Sequence, residues 1–476
     1  MKKSIILSAF LFLFNFGYAQ TPQKFQWGVK AGGAGADKIA GITSVENYLY
    51  VAGQYSGKYT SGAESTPAGN GIFLSRLDKN GKTDWVRSIT GDIRNSVTRI
   101  SPSGKDVLIG GLITGAVNVE NNLLDGKGQS LFLSLWSDKG KNVWLNRISY
   151  TGHATLDVLM PSPDGNLIMG GMFQGTIKPG ESEWQSPFER RAYFMTLSPA
   201  GKPLKMMVST GKGSHRLVSA TTAGDGNLYL LFSITGDFAL GKGAPVVTPT
   251  DMNNGLAMVK ISPAGEVVWQ KTIPGTGYLE GFKILSLKTG DVLVCANYTQ
   301  TLRIGKNILF SKGGVELILL LFTDKGDYKK AERMVSPVAV RGMDAMLVNR
   351  ENILVTGYFR QEFSTAKERV KSLSSLGDLF LLQMNSSLET VWHDEPAQEA
   401  ASYSKSFTLD ETGNIILAGA FKGQLNLKGK KMSSEDKEDD VFIAKYCNCL
   451  LKEATIAGNP VLCTGGTTEL SVKGNY

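Results

Sequence analysis

The sequence has few of the residues that enzymes most often use for catalysis: among 476 residues there are three histidines and four cysteines. Neither an HExxH motif nor a serine or cysteine nucleophile motif is present. The cysteine spacing, without a second CxxC pair or a partner histidine, does not fit a zinc site. We therefore expect no metal and no cofactor, and we assign no catalytic residue.

The sequence also lacks a hydrophobic run long enough to span a membrane. Its apolar leader, residues 5–16, follows Lys2 and Lys3 and precedes a small-residue site at 17–19. This order is typical of a secretory signal peptide, which we place at residues 1–19. We expect a soluble protein that is secreted or exposed at the cell surface, without membrane insertion.

Basic charge is not concentrated in any block of the chain. The formal net charge is +8, but the basic residues are scattered along the sequence. Scattered charge is typical of ordinary surface solvation, so we expect no nucleic-acid partner. We expect a monomer.

The cysteines lie in two settings. Cys447, Cys449 and Cys463 are close to the C-terminus, where an exported protein can form a disulfide. Cys295 lies in an apolar run, which predicts a buried thiol.

One pattern of about 61 residues recurs along the chain. An outer strand carries a Trp, replaced by Lys in two copies: Trp27, Trp85, Trp144, Lys205, Trp269, Lys330 and Trp392. A small residue, most often Gly, lies in a β-rich run: Gly53, Gly111, Gly171, Phe232, Ala296, Gly357 and Gly419. A further apolar strand recurs at Phe73, Phe132, Tyr193, Ala257, Ile318, Phe380 and Phe442. Each set has seven members, so the sequence contains seven repeats.

Runs of β-branched and aromatic residues between turns predict four short strands per repeat, without helical periodicity. In the first repeat we expect them at residues 37–45, 48–55, 72–78 and 85–89. Seven such repeats predict an all-β, seven-bladed β-propeller at residues 20–449; a linear β-solenoid is the structural alternative. The chain opens on a Trp strand and ends on a Phe strand. We therefore predict that the strand near Trp27 pairs with the strand around Phe442, which completes the last blade and closes the propeller.

Two recurring residues have predicted packing roles. We expect the Trp of the outer strand to cover the gap between adjacent blades. We expect the Gly of the second strand to admit a close approach by a neighbouring blade.

The last repeat shows the pattern most completely, as Gly-Asn-Ile-Ile-Leu-Ala-Gly-Ala-Phe at 413–421 and Asp-Val-Phe-Ile-Ala-Lys-Tyr at 440–446. These segments resemble the SBBP-like β-propeller repeat family of secreted bacterial proteins, whose units share a Gly-Asn turn, a Gly-x-Phe strand end and an Asp-x-Phe-x-x-Lys-Tyr strand. The resemblance covers about residues 25–447. It implies a propeller with an extracellular or envelope location, and it implies no reaction.

Residues 457–463 and 467–472 resemble the first strands of an immunoglobulin-like module found in multidomain surface proteins. We therefore assign residues 450–476 to a linker and a truncated immunoglobulin-like stub. About twenty residues cannot bury a sandwich core. We expect either a fragment of a longer protein or a disordered stub.

Three features are candidate sites. Inserts between the second and third strands, for example 302–310 and 425–432, are interpreted as hairpins on one propeller face, either a binding surface or structural padding. The acidic segment 435–440 lacks the DxDxDG pattern of calcium loops, so we expect a solvated loop, with Asp440 belonging to the repeat. His153, His215 and His393 are expected to be exposed or turn residues.

These observations favour an exported, non-catalytic binding or scaffold propeller, with a protein or glycan partner on one face, as part of a cell-surface or adhesion protein. The alternative is a carbohydrate-active hydrolase or lyase with carboxylates at the mouth of the central channel. A structural spacer is a third interpretation. Convergent acids in the channel would favour the enzyme, an aromatic platform the glycan binder, and a bland channel the spacer.

Overall fold

The computed structural model describes residues 24–92, 94–241, 243–249, 254–348, 351–366, 368–372, 377–396, 401–435, 438–447, 455–457 and 471–473. Every regular element in these ranges is a β-strand. Within the same ranges no helix is long and apolar enough to cross a membrane. The chain divides into two compact units, one of Gln23–Asn448 and one that joins Met1–Pro22 with Cys449–Tyr476.

The strands of the larger unit form four-stranded antiparallel groups, here called repeats 1–7. The first described strand is β1 (Lys24–Ala31), which belongs to repeat 7. Repeat 1 contains β2 (Lys38–Val45), β3 (Tyr48–Gly57), the insert β4 (Thr60–Ser61) and β5 (Glu64–Ser65), β6 (Gly69–Asp78) and β7 (Thr83–Thr90). Repeat 2 contains β8 (Ser96–Ser103), β9 (Asp106–Thr114), the insert β10 (Val117–Val119) and β11 (Asn122–Leu124), β12 (Gln129–Trp136) and β13 (Asn142–Ala154).

Repeats 3–5 follow the same order. Repeat 3 contains β14 (Val158–Pro161), β15 (Leu167–Lys178), β16 (Trp184–Leu197) and β17 (Pro203–Thr210). Repeat 4 contains β18 (His215–Thr222), β19 (Leu228–Thr235), the insert strand β20 (Ala239–Leu240), β21 (Asn254–Ile261) and β22 (Val267–Gly275). Repeat 5 contains β23 (Leu279–Ser286), β24 (Val292–Tyr298), the insert β25 (Thr301–Ile304) and β26 (Asn307–Phe310), β27 (Glu316–Phe322) and β28 (Tyr328–Met334).

The last two repeats complete the unit. Repeat 6 contains β29 (Ala339–Val348), β30 (Asn352–Arg360), the insert β31 (Glu362–Ser364) and β32 (Arg369–Lys371), β33 (Asp378–Met384) and β34 (Thr390–Asp394). Repeat 7 contains β35 (Ala401–Leu409), β36 (Ile415–Lys422), the insert β37 (Gln424–Leu427) and β38 (Lys430–Ser433), and β39 (Asp440–Cys447). The strands observed in repeat 1 match the predicted ones to within a few residues.

The strands of each repeat pair in chain order, and the fourth strand of repeat 7 comes from the other end of the unit. There β1 pairs antiparallel with β39, with Lys30 opposite Phe442 and Val29 opposite Ile443. This is the pairing predicted from the phase of the repeats. Repeats 2 and 3 share one nine-stranded sheet, because β13 also pairs with the end of β15. The prediction of an all-β, propeller-like fold is confirmed by this topology.

The core lies between repeats rather than within them. Buried apolar side chains of the described residues form seven clusters, each of which joins two consecutive repeats or, in one case, repeats 7 and 1. The last of these clusters contains Ile443 and Phe73. A single repeat therefore leaves both sheet faces uncovered and is stabilised by its two neighbours.

The recurring Trp packs on a turn of the following repeat. The indole nitrogens of Trp27, Trp85 and Trp269 donate to carbonyl oxygens in the turn that precedes the next outer strand, at 3.2–3.3 Å. Where Lys replaces Trp, its ammonium donates to the equivalent turn: Lys205 binds Gly265 at 3.0 Å and Lys330 binds Ser387 at 2.7 Å. At these five positions the residue joins neighbouring repeats, which is the role predicted for the Trp; the Trp392 indole instead donates to Gln383 of its own repeat at 2.9 Å.

The second strand requires a Gly for a different reason from the one predicted. A Cβ on Gly111 or Gly357 would lie 2.0 or 1.9 Å from a carbonyl oxygen of the first strand of the same repeat, on Ser96 or Arg341. That carbonyl approaches because the first strand carries a β-bulge at this point. The close approach therefore comes from within the repeat and not from a neighbouring blade.

The smaller unit contributes two described strands, β40 (Thr455–Ala457) and β41 (Ser471–Lys473), which pair antiparallel. The predicted signal peptide and most of the predicted immunoglobulin-like stub lie outside the described residues, so both stay predictions. Cys447 is disulfide-bonded. Cys295 is a buried free thiol, as expected.

Candidate functional site

A β-bulge recurs at the same place in the first strand of the repeats. The register against the second strand skips one residue, for example between Val97 and Arg99 and between Gly342 and Asp344. The same skip occurs in repeats 1, 4, 5 and 7. A bulge twists the strand and redirects the side chains beside it. Each repeat therefore presents the residue after its bulge in a similar way.

The first strands of all seven repeats line one cavity of about 540 Å³. Consecutive first strands are in contact, and β35 also contacts β2. The residues after the bulges are Gly41, Arg99, Ser219, Lys283, Asp344 and Ser406; Asp157, whose amide donates to the Gly170 carbonyl, holds the equivalent place in repeat 3, and all seven line the cavity. Arg216, Glu280 and Lys405 add further charges to its wall. Since these ten residues come from seven repeats, we name this space the axial cavity.

Asp157 is the most enclosed acid of the axial cavity. Its carboxylate accepts two hydrogen bonds from the Arg216 guanidinium, at 2.6 and 2.8 Å, and one from the Thr155 hydroxyl at 2.5 Å. The Arg99 guanidinium lies 4.0 Å away on the other side. Burial acts to raise the pKa of Asp157, but the two guanidinium groups outweigh it and hold the pKa below its ordinary value.

The other two acids are also paired across repeats. Lys283 donates to the Asp344 carboxylate at 2.8 Å, and Ser406 donates to the same carboxylate at 3.4 Å. Glu280 accepts from the Tyr278 hydroxyl and lies 3.5 Å from the Arg341 guanidinium. Burial, followed by the hydrogen bond with Glu280, raises the pKa of Tyr278 above its ordinary value. The three carboxylates of the axial cavity are therefore all engaged with cations.

Lys405 is the exception among the cavity charges. Its side chain is exposed to the cavity, and within the described part of the chain its ammonium has no hydrogen-bonding or ion-pairing partner. Removal from bulk water lowers its pKa, and the charge of Arg99 lowers it further, while Asp344 and Glu280 act in the opposite direction. Lys405 thus faces charges of both signs and is bound to none of them.

The wall beside Lys405 is kept narrow by Gly41, the residue after the bulge in repeat 1. A Cβ there would lie 2.9 Å from Ile100 and 3.6 Å from the Ser406 hydroxyl. Repeats 2 and 7 can therefore approach each other across repeat 1. Apolar side chains, among them Met160 and Met343, line other parts of the cavity.

The histidines lie apart from this cavity, and one prediction about them is wrong. His153 is exposed, as expected. His215 is buried and not an exposed turn residue: its Nε2 donates to the Asp237 carbonyl at 2.8 Å, and its Nδ1 accepts from the Ser209 hydroxyl at 2.9 Å. Burial, reinforced by the charge of Arg191, lowers its pKa to about 4. The ring is a neutral packing element, edge-on to Phe238 at 5.2 Å.

His393 is half-buried in β34. Its Nε2 lies 2.9 Å from Glu368 and its Nδ1 lies 3.2 Å from Glu395. The hydrogen bond that the ring donates to the Glu395 carboxylate is the largest cause of the raised pKa of His393, and burial partly opposes it. The arrangement is a pH-dependent ion pair.

In the acidic segment Glu435 and Glu438 are exposed, as expected of a solvated loop, and Asp440 begins the third strand of the repeat, also as expected. Asp436 and Lys437 lie outside the described residues.

Asp440 is fully buried; it accepts from the Glu435 amide at 2.9 Å and lies 3.3 Å from the Lys30 ammonium. Glu316 occupies the equivalent position in repeat 5 and accepts from the Lys312 amide at 2.6 Å. The acid that begins the third strand therefore anchors the end of the insert. In the described ranges no group of three or more His, Cys, Asp or Glu side chains is placed to hold a metal ion.

The inserts bind the preceding repeat. Strand β10 pairs with β7, β20 with β17, and β25 with β22. Isolated bridges join Thr60 to Gly32 and Ser364 to Val335. Their inward side chains are buried, but Phe310 and Leu123 at the outer side are 64% and 72% exposed. The inserts therefore stabilise the junctions between repeats.

Comparisons with known proteins do not extend these findings. No family model matches the chain, and no curated protein matches it in sequence. Solved structures that match include Sqt1 from Chaetomium thermophilum, at 9% identity over 83% of this chain and 97% of that chain, with a TM-score of 0.41. A protein of unknown function from Dyadobacter fermentans DSM 18053 has 10% identity over 89% and 98%, with a TM-score of 0.41. An ulvan lyase of polysaccharide lyase family PL25 has 10% identity over 86% and 97%, with a TM-score of 0.40. At TM-scores this low the likenesses carry no argument.

Proposed function

We propose that the seven repeats close into a seven-bladed β-propeller that acts as an exported, non-catalytic recognition module and binds its ligand in the axial cavity. The export and the surface location rest on the leader at residues 1–19. The resemblance to the repeats of secreted bacterial propellers is consistent with both.

Closure is supported by one strand pairing within repeat 7 and by two contacts between repeats 7 and 1. Strand β1 supplies the outer strand of repeat 7. An apolar cluster joins Ile443 of repeat 7 to Phe73 of repeat 1. The Trp27 indole donates to the Lys79 carbonyl at 3.2 Å, which is the contact found between other consecutive repeats. The junction of the chain ends is thus built like the junctions within the chain.

Recognition without catalysis is supported above all by the pairing of Asp157. A hydrolase of the two-carboxylate type needs one acid that donates a proton and one carboxylate that acts as base or nucleophile. Asp157 is held ionised by Arg216, and Asp344 is held by Lys283. Neither carboxylate is arranged as a proton donor.

A second candidate, a carbohydrate-active lyase or hydrolase, is favoured by Glu280. Its side chain is 47% exposed, the most open of the three cavity acids, and it lies beside Tyr278 and Arg341. An acid, a phenol and a guanidinium at one mouth of a cavity are groups that proton abstraction from a sugar acid can use.

The test is a glycan and polysaccharide binding screen on the purified chain, with release of reducing ends and ultraviolet absorbance of unsaturated products measured in the same wells. We expect binding without product. Product that disappears in Glu280→Gln and persists in the surface variant Glu266→Gln would establish the enzyme instead. If neither binding nor product is detected, the axial cavity is excluded as a glycan site and the structural spacer is favoured.

A further inference from the structure

We infer that the axial cavity recognises a carboxylate group, carried by a small sugar acid or aliphatic acid, and that Lys405 is its main contact. The inference rests on the proposed function, because it names the ligand class of the same site.

The charges of the cavity wall do not balance. Four cations, Arg99, Arg216, Lys283 and Lys405, face three carboxylates, Asp157, Glu280 and Asp344. Arg216 and Lys283 are committed to Asp157 and Asp344 at 2.6–2.8 Å. Glu280 is engaged by Arg341, which is not part of the described lining. The excess positive charge of the wall therefore rests on Arg99 and Lys405, and a negative charge on a ligand would offset it.

The unbalanced charge is located at Lys405. Lys405 and Arg99 both line the cavity, and within the described residues the Lys405 ammonium has no hydrogen-bonding or ion-pairing partner. Burial lowers the pKa of Lys405, and the charge of Arg99 lowers it further. The Arg99 guanidinium lies 4.0 Å from the Asp157 carboxylate and donates to the backbone carbonyls of Thr98, at 2.7 Å, and of Asp157, so it makes no close contact with a carboxylate. An anion between Lys405 and Arg99 would relieve their repulsion and bind two cations at once.

The size and the remaining wall fit a small organic acid. The volume of about 540 Å³ lies within the roughly 300–1,000 Å³ range of small-molecule sites. Ile100, Met160 and Met343 line the cavity together with the charges. A ligand with one carboxylate and a compact body can place its charge at Lys405 and its body against these side chains.

The experiment is a titration calorimetry series on the full chain with D-glucuronate, D-glucose and 4-methylpentanoate. Glucuronate and glucose differ by one carboxylate, and 4-methylpentanoate carries the carboxylate without a sugar. We expect saturable binding of at least one carboxylate and none of glucose. Lys405→Gln should weaken it by roughly tenfold or more, since a charge-assisted contact is lost. Lys127→Gln removes an exposed lysine far from the cavity lining and should bind like the wild type.

Three results would overturn the inference: equal binding of glucose and glucuronate, unchanged affinity of Lys405→Gln, or no binding of either acid. If the acids do not bind but a neutral glycan does in the screen above, the recognition function stands and the carboxylate inference falls. If neither experiment yields binding, both fall together. Binding of glucuronate alone identifies a sugar acid, and binding of 4-methylpentanoate alone an aliphatic acid.

Discussion

The junctions between repeats and the wall of the axial cavity use the repeat in opposite ways. At the junctions one chemical solution recurs, in which a Trp or Lys of the outer strand donates to a turn carbonyl of the next repeat. At the cavity the same backbone feature recurs as a bulge, but the residue after it changes, for example from Arg99 to Ser219 to Lys283. The recurring junction residues stabilise the fold, whereas the residues that differ between repeats give the cavity the varied side chains that a specific site requires.

The largest effect is expected at a junction. Trp85 is 6% exposed and packs edge-on to Tyr50 at 6.0 Å. Trp85→Ala should lower the free energy of unfolding by about 3–5 kcal/mol, because it leaves a cavity between repeats 1 and 2. Urea unfolding checks this. Trp184→Ala, at a Trp that is 38% exposed, is the matched control and should stay within about 0.5 kcal/mol of the wild type.

A smaller loss is expected beside a bulge. Gly357→Ala brings a Cβ to 1.9 Å from the Arg341 carbonyl and 2.8 Å from the Phe380 ring. The strain should lower the free energy of unfolding by about 1–3 kcal/mol. Gly224→Ala meets nothing within 4 Å and serves as control. Equal stability of the two variants would contradict the account of the second-strand Gly.

The junction of repeats 7 and 1 should be the most sensitive to alkaline pH. Asp37 is fully buried, and burial, with the charge of Asp440, raises its pKa to about 8. Because the pKa of Asp37 is higher in the folded than in the unfolded state, its contribution to stability is fully present below about pH 4 and is lost as the pH rises through about 8. The free energy of unfolding of the wild type should fall by about 1 kcal/mol or more between pH 5 and pH 9, and Asp37→Asn should remove this fall. Unfolding midpoints at both values measure it, and an unchanged slope in the variant would exclude Asp37 as its source.

The smallest effect is expected at His393. Its pKa is raised by Glu395 and Glu368, so its contribution is fully present below the unfolded pKa and is lost as pH rises through the folded pKa. The ion pairs are partly exposed, and we expect about 0.5 kcal/mol. The change in the free energy of unfolding between pH 5.5 and 8.5 should be smaller by that amount in His393→Gln than in the wild type. His153→Gln, measured in the same way, should leave the change as it is.

The sequence predicts the junctions better than the cavity, and the reason is physical. Trp85, Phe132 and their equivalents recur because every junction has the same shape, so a single chain displays them as a pattern. The cavity residues do not recur. Arg99 and Lys283 belong to the basic residues that the sequence presents as scattered surface charge, and only an alignment of the repeats on their second-strand Gly would place them at one position.

Two other differences arise from contacts distant in the chain. His215 was expected at the surface because its local sequence is a turn, but Phe238 and Ser209 enclose it. The reason for the second-strand Gly was missed because a bulge in the partner strand leaves no local signature. From the sequence, convergent acids are the expected sign of an enzyme and an aromatic platform is the expected sign of a glycan binder. Acids do converge in the cavity, but each is paired with a cation. Phe282 is the aromatic residue of the described lining.

The most direct test of this division between fold and site measures stability and binding on the same samples of Lys405→Gln. The account predicts that affinity for the carboxylate ligand falls by roughly tenfold or more while the urea midpoint stays that of the wild type. A midpoint that falls with affinity unchanged would assign Lys405 to the fold and contradict the account.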